Sequence, residues 1–257
     1  MQAKTHKGWR LPFAFEPDTL INSEVGWKSR WRDGLLQWNG ALYQEDWEHA
    51  QVGAESPGLL GGGAIINGGH YRVRGVETSA KLLIADGLTV EIGAAWNHSR
   101  LVEEAPFYWA DGTPIDFRTL HLANGNKVPN PAGTLGSPLA GAPPFQGNIR
   151  ARYEFEFNGY RVFMQAGAVH QAHSLSATDP LARDLQGKST LYDLPSFTTY
   201  EGAFGAGREG WGVQVYGVNL TDTRAQLFAN YSEYVKAVTV NRPRTIGVRM
   251  SYKFSGG

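Results

Sequence analysis

From Asn148 to Phe157 the chain reads N-I-R-A-R-Y-E-F-E-F and alternates without a break. Ile149, Ala151, Tyr153, Phe155 and Phe157 fall on one side of an extended strand, and Asn148, Arg150, Arg152, Glu154 and Glu156 on the other, because strand side chains alternate with period two. The segment therefore meets an apolar environment and a wet one at once. Near the end of the chain the pattern returns, with Ile246, Val248, Met250, Tyr252 and Phe254 set against Gly247, Arg249, Ser251 and Lys253. What the apolar side touches, a protein core or lipid, decides what such a chain can be.

Period-two segments recur along the whole sequence and helical periodicity is scarce. Strands are expected near 20–31, 35–47, 69–84, 88–100, 145–157, 160–171, 197–207, 211–221 and 242–254. Short links join them in pairs: Arg32-Asp33-Gly34, Ala85-Asp86-Gly87, Asn158-Gly159 and Arg208-Glu209-Gly210. Asp-Gly and Asn-Gly form hairpin turns because both residues of the pair tolerate positive φ. Long links, near 48–68, 101–144, 172–196 and 222–241, are rich in Gly, Pro, Asn and Asp and are expected to hold no regular elements. Hairpin pairing would place every short turn at one end of the sheet and every long loop at the other. Outer-membrane barrels are built with that asymmetry.

Composition permits this reading. No apolar run approaches the ~20 residues a spanning helix needs, while a membrane barrel is only half apolar along each strand. Basic and acidic residues balance at 24 each, so bulk charge implies no nucleic-acid partner. Cysteine is absent, which excludes disulfides and thiolate metal sites. A one-residue slip of 148–157 in a bilayer would turn two Arg and two Glu to hydrocarbon, at a cost on the order of 4–10 kcal/mol. Nine strands is an odd number for a single-chain barrel, and the start M-Q-A-K-T-H-K-G-W-R carries no signal-peptide pattern. One further strand could hide around Lys7–Phe15; otherwise the expectation is that this is the C-terminal part of a larger barrel.

Seven segments carry a family resemblance. Phe15-Glu16-Pro17-Asp18-Thr19-Leu20, followed by Asn22-Ser23-Glu24-Val25-Gly26-Trp27-Lys28-Ser29, opens the series, and Tyr43-Gln44-Glu45-Asp46-Trp47 continues it. Then come Arg74-Gly75-Val76-Glu77, Pro143-Pro144-Phe145-Gln146-Gly147-Asn148 and Leu194-Pro195-Ser196-Phe197. Val218-Asn219-Leu220-Thr221-Asp222-Thr223-Arg224 and Pro243-Arg244-Thr245-Ile246-Gly247-Val248 through Tyr252-Lys253-Phe254 close it. In order and spacing these resemble the C-terminal half of TonB-dependent outer-membrane receptors. The resemblance implies an all-β fold, an antiparallel transmembrane barrel of about 22 strands filled by a plug, with this chain supplying roughly the last nine. It would divide the chain into an incoming loop or strand end at 1–19, barrel strands and loops at 20–254, and a tail at 255–257. It further implies Gram-negative outer-membrane localisation and energised uptake of a scarce ligand. That ligand is most often a ferric siderophore, less often cobalamin, haem or a saccharide. The implied partners are the TonB complex, acting through a plug domain outside this chain, and outer-membrane lipid. No catalysis and no cofactor are implied. Plug and TonB box are missing from the sequence, and Ser255-Gly256-Gly257 follow the aromatic on which the insertion signal normally ends.

For ligand contact, the loop 101–144 is the best candidate. Tyr108, Trp109 and Asp111, with Phe107 and Asp116 nearby, offer stacking surfaces and polar groups, as external binding sites do. The aromatics could equally belong to an interfacial girdle. Glu24, Lys28, Arg150 and Arg152 could brace a plug or simply line the wall. Gly205-x-Gly207-x-x-Gly210 matches a dinucleotide fingerprint in letters alone, since it runs into a hairpin turn and not into a helix. Leu59-Leu60-Gly61-Gly62-Gly63 lacks the Gly-Lys-Ser/Thr of a P-loop, and His170 and His173, three apart on a strand, point to opposite faces. The glycosylation sequons at Asn97, Asn219 and Asn230 carry no meaning in a bacterial barrel. Two other readings stay open: a self-contained small outer-membrane barrel serving as porin or adhesin, and a soluble β-sandwich binder with its apolar faces turned inward.

Overall fold

The computed structural model describes residues 9–10, 14–55, 63–121, 125, 128–176, 192–231 and 236–254. Its frame is one antiparallel sheet of nine strands: β1 (Thr19–Trp31), β2 (Leu36–Glu48), β3 (His70–Ala85), β4 (Leu88–Glu103), β5 (Phe145–Phe157), β6 (Tyr160–Gln171), β7 (Phe197–Arg208), β8 (Trp211–Val218) and β9 (Thr245–Tyr252). Every strand pairs with its neighbours in sequence, from β1 at one edge to β9 at the other. Among the described residues the sheet does not close, since β1 and β9 each pair on one side only.

The strands lie where the alternation places them, because register is dictated wherever the two faces meet different surroundings. Two ends differ. β8 stops at Val218, short of the expected 221, because Asn219 adopts a left-handed φ of 52° and turns the chain out of the ladder. β9 begins at Thr245 where 242 was expected, after Pro243, which has no N–H to give a partner strand. The short turns fall at one end as anticipated. Asn158 and Gly159 both carry positive φ (50° and 75°), as do Glu209 and Gly210 (49° and 86°), the conformation of tight hairpins whose twist matches the flanking strands.

Three of the long links hold structure that the polar, broken sequence hides. Gln51–Glu55 pairs with Gly63–Asn67, Gln226–Tyr231 with Lys236–Val240, and Ser174–Leu175 with Asp193–Leu194. The fourth, beyond β4, folds mostly as turns around the short strand Tyr108–Trp109, which pairs with Trp9–Arg10. Of the strand expected around Lys7–Phe15, Trp9–Arg10 is extended and Ala14–Phe15 is not in a strand; the rest of that segment, most of Leu59–Gly63, Ser232 of the third sequon and the tail 255–257 lie outside the described residues.

The compact apolar core sits in the loops and not under the sheet. Ile66 of the first hairpin packs with Ala105, Phe107, Ile115, Phe117, Val128 and Ala132 of the loop after β4. A second cluster of Ala50, Tyr71 and Leu101 joins that cap to the upper ends of β3 and β4. The sheet's own apolar face stays open: Val25 is 73% exposed, Met250 73% and Val248 61%, and no second layer of the described residues covers them. That arrangement disfavours a sandwich, whose apolar faces meet each other.

Candidate functional site

Register sorts the two faces across all nine strands. One set runs Glu24–Tyr43–Gly75–Asn97 and Lys28–Asn39–Ser79–Gly93–Asn148, and continues through Arg152–Gln165–Ala203–Tyr216 to Gly247. The opposite set runs Val25–Leu42–Val76–Trp96–Phe145 and, lower down, Tyr153–Met164–Phe204–Val215–Val248. The polar face is concave. A hollow of about 710 Å³ opens on it, lined from seven strands, with Glu24, Lys28, Asn39, Glu77, Asn148 and Gln171 among its walls.

A charge ladder crosses this concave wall. Lys81 Nζ lies 3.2 Å from Glu91, Arg150 lies 3.9 Å from Glu91 on one side and 3.2 Å from Glu201 on the other. Arg150 reaches Glu201 over the intervening strand β6 because its register partner there is Gly167. A Cβ at Gly167 would stand 3.0 Å from the Glu201 side chain, so a larger residue would crowd the bridge. Beside the ladder, the Arg152 guanidinium lies 3.8 Å above the Phe163 ring and donates to Glu154 and Gln165. Tyr43 lies flat over Gly75 and donates its hydroxyl to Asn97. These groups are about half exposed, so each pair contributes little stability, about 0–1 kcal/mol. Their effect is to hold alternating charge in fixed places on a watery wall.

Of the residues singled out for ligand contact, Tyr108 is exposed, 42% open to solvent. Trp109 packs against the loop core beside Phe107, which is buried. Asp111 accepts hydrogen bonds from the Thr113 backbone N–H and hydroxyl, closing a tight turn. Asp116 pairs with Arg118 at 2.9 Å, and that carboxylate, by hydrogen bond and charge, raises the Arg118 pKa. Thus the aromatic trio divides into two packing residues and one outward ring. Glu24 and Lys28 line the hollow, and Arg150 and Arg152 stand farther along the same face. The other members of the charge ladder, Glu91 and Glu201 against Arg150 and Lys81 against Glu91, were not singled out from sequence; like-face, opposite-charge residues in a paired register were the available signal.

The remaining motifs resolve into structure. His170 shares a hydrogen bond with the Thr198 hydroxyl and stacks near Phe145, while His173 is exposed in the loop beyond. Gly205 sits in β7 under the Phe163 ring, and Gly210 is a turn residue. No cluster able to hold a metal ion occurs among the described residues. In Val218-Asn219-Leu220-Thr221-Asp222, the buried Asn219 amide donates to the carbonyls of Thr223 and Arg242 and accepts from the Thr223 N–H. Asp222 accepts the Arg244 backbone N–H at 2.8 Å, so the motif staples the last loop across its base.

The sequence profile of the family described as TonB dependent receptor-like, beta-barrel matches residues 9–220. The chain belongs to that family. No curated protein sequence matches it. Among solved structures it is similar to the ferric yersiniabactin uptake receptor FyuA from Yersinia pestis, at 17% identity and a TM-score of 0.64, over 97% of this chain and 33% of that one. It is also similar to the ferric-catecholate import receptor Fiu from E. coli K12 (19% identity, TM-score 0.60, 93% and 28% covered). The pyoverdine outer membrane receptor FpvA from Pseudomonas aeruginosa gives 14% identity and a TM-score of 0.61, over 93% of this chain and 30% of that one. The chain therefore spans about a third of the length of the receptors it matches, and the open nine-stranded sheet is a barrel segment of this family.

Proposed function

We propose that this TonB-dependent receptor segment is part of the outer-membrane wall through which a scarce ligand, of the ferric-siderophore class, is taken up. The observation that carries the reading is the split of all nine strands into an exposed apolar face and a concave charged one, with the long loops gathered at one end. Apolar side chains turned to acyl chains and a polar wall turned to a water-filled bore are what a bilayer demands of a spanning sheet. The uptake receptors to which the chain is similar supply the cargo class. In this reading the loop cap captures the ligand, Tyr108 offers an outward stacking surface, and TonB acts through a plug seated against the charged wall.

The test is uptake in iron-starved cells that produce the receptor containing this wall. Radiolabelled ferric catecholates, hydroxamates and carboxylates are offered in turn, with and without a functional TonB. Accumulation of one class that vanishes without TonB supports the proposal. TonB-independent entry of all small solutes alike would instead mark a porin.

A further inference from the structure

At the loop end the apolar face of the sheet changes abruptly. Leu42, Val76 and Trp96 stand side by side in register on β2, β3 and β4. The next layer on the same face is Gln44, Arg74 and His98, and the layer after it Asp46, Arg72 and Arg100. Within two residue pairs, about 14 Å of strand at most, three guanidinium groups and an imidazole collect on adjacent strands. The same face of β5, β6 and β7 ends in Phe145, His170 and Thr198, with no guanidinium.

Carboxylates satisfy only part of this charge. Asp46 lies 2.6 Å from Arg72 and 2.8 Å from His70, so one arginine is neutralised. Arg74 donates to the neutral Gln44 at 2.8 Å, and Arg100 contacts His98. Both side chains are exposed, and neither has a carboxylate in salt-bridge range among the described residues. Glu103 pairs in register with His70 one step nearer the loops, as Glu48 does with Thr19, without reaching them. Exposed apolar residues flank the patch, Ile21 on the β1 side and Trp96, which packs on the half-buried Phe145, on the other.

We propose that this face of β2–β4 holds the phosphorylated headgroup of an outer-leaflet lipid, with Arg74 and Arg100 as the phosphate ligands and the Leu42, Val76 and Trp96 layer against its acyl chains. Arginine forks match phosphate oxygens in paired hydrogen bonds, and basic side chains just outside an apolar band attract anionic lipid. The inference rests on the membrane-facing reading of the sheet's apolar side.

The 257-residue chain in zwitterionic detergent is titrated with short-chain phosphatidic acid, with short-chain phosphatidylcholine and with inorganic phosphate, following tryptophan fluorescence. Saturable, salt-sensitive binding of phosphatidic acid alone is expected. It should weaken at least tenfold in R74A/R100A, recover largely in R74K/R100K, and stay unchanged in R208A, a basic residue on the same face at the opposite rim. Equal response to both lipids, or an unchanged R74A/R100A with wild-type circular dichroism, overturns the proposal. Binding of inorganic phosphate as tight as that of phosphatidic acid also overturns it, since acyl chains would then contribute nothing. A chain that stays monodisperse without detergent fails the membrane reading itself; one that requires detergent yet ignores phosphatidic acid fails only the lipid site.

Discussion

Single residues set the ends of this sheet as firmly as patterns set its middle. Asn219 is buried, left-handed and triply hydrogen-bonded, so N219A should cost about 1–3 kcal/mol through unsatisfied backbone groups. Denaturant midpoints in detergent would show the loss, and hydrogen exchange would localise it to the amides of Thr223 and Arg244. Nearby, the Arg244 N–H, and then the charges of Arg224 and Arg244, hold the Asp222 carboxyl below its usual pKa. A lowered folded-state pKa means that the stabilising contact is present above the unfolded value, about 4, and fades as pH falls through the lower folded one. The protection factor of the Arg244 amide should therefore fall only in acid, and in D222A, which has no acceptor, it should be low and independent of pH across that window. Asn219 and Asp222 stood out in sequence as a family signature. Their physical work, pinning a loop base across more than twenty residues, was invisible until the chain folded back on itself.

At the level of elements, the strands were legible because alternation is a strict instruction where one face meets water and the other does not. The loop hairpins were not. Gln51–Glu55 alternates over only five residues and Gly63–Asn67 sets Ile65 beside Ile66, too brief and too irregular to stand out among glycines and polar residues. The charge ladder was half legible, since Arg150 declared its face but its reach to Glu201 depends on the gap at Gly167. Substituting leucine for that glycine should separate Arg150 from Glu201 with a small stability change, under about 1 kcal/mol for the lost pair, plus whatever crowding the wall absorbs; a double-mutant cycle with E201Q isolates the coupling. The two faces should answer oppositely to the same charge. I149R, on the open apolar face, is expected to cost about 2–4 kcal/mol in a bilayer if it sits near the midplane, whereas N148R one position away should fold from urea into phosphatidylcholine vesicles nearly as well as wild type.

For the whole molecule, the decisive property is which way the sheet curves. Spin labels at Tyr153, Phe155 and Val248 should be accessible to oxygen dissolved in acyl chains and shielded from water-soluble nickel chelates. Labels at Arg152 and Arg249 should show the reverse. Matching accessibility on the two faces would remove the basis for reading this sheet as a bilayer wall. The architecture was foreseeable from loop sorting and seven short motifs; the side-chain contacts inside the loops were not, because residue type alone does not announce that Trp109 packs on the loop core or that Asp111 closes a turn.

Ile66 from one loop is locked among Phe107, Phe117 and Val128 from another. The two cannot swing apart without tearing open a shared oily knot, so they must travel as a single jaw. Anyone transplanting ligand preference between such receptors by grafting one of these loops will leave half a hinge behind; both have to move together, or neither.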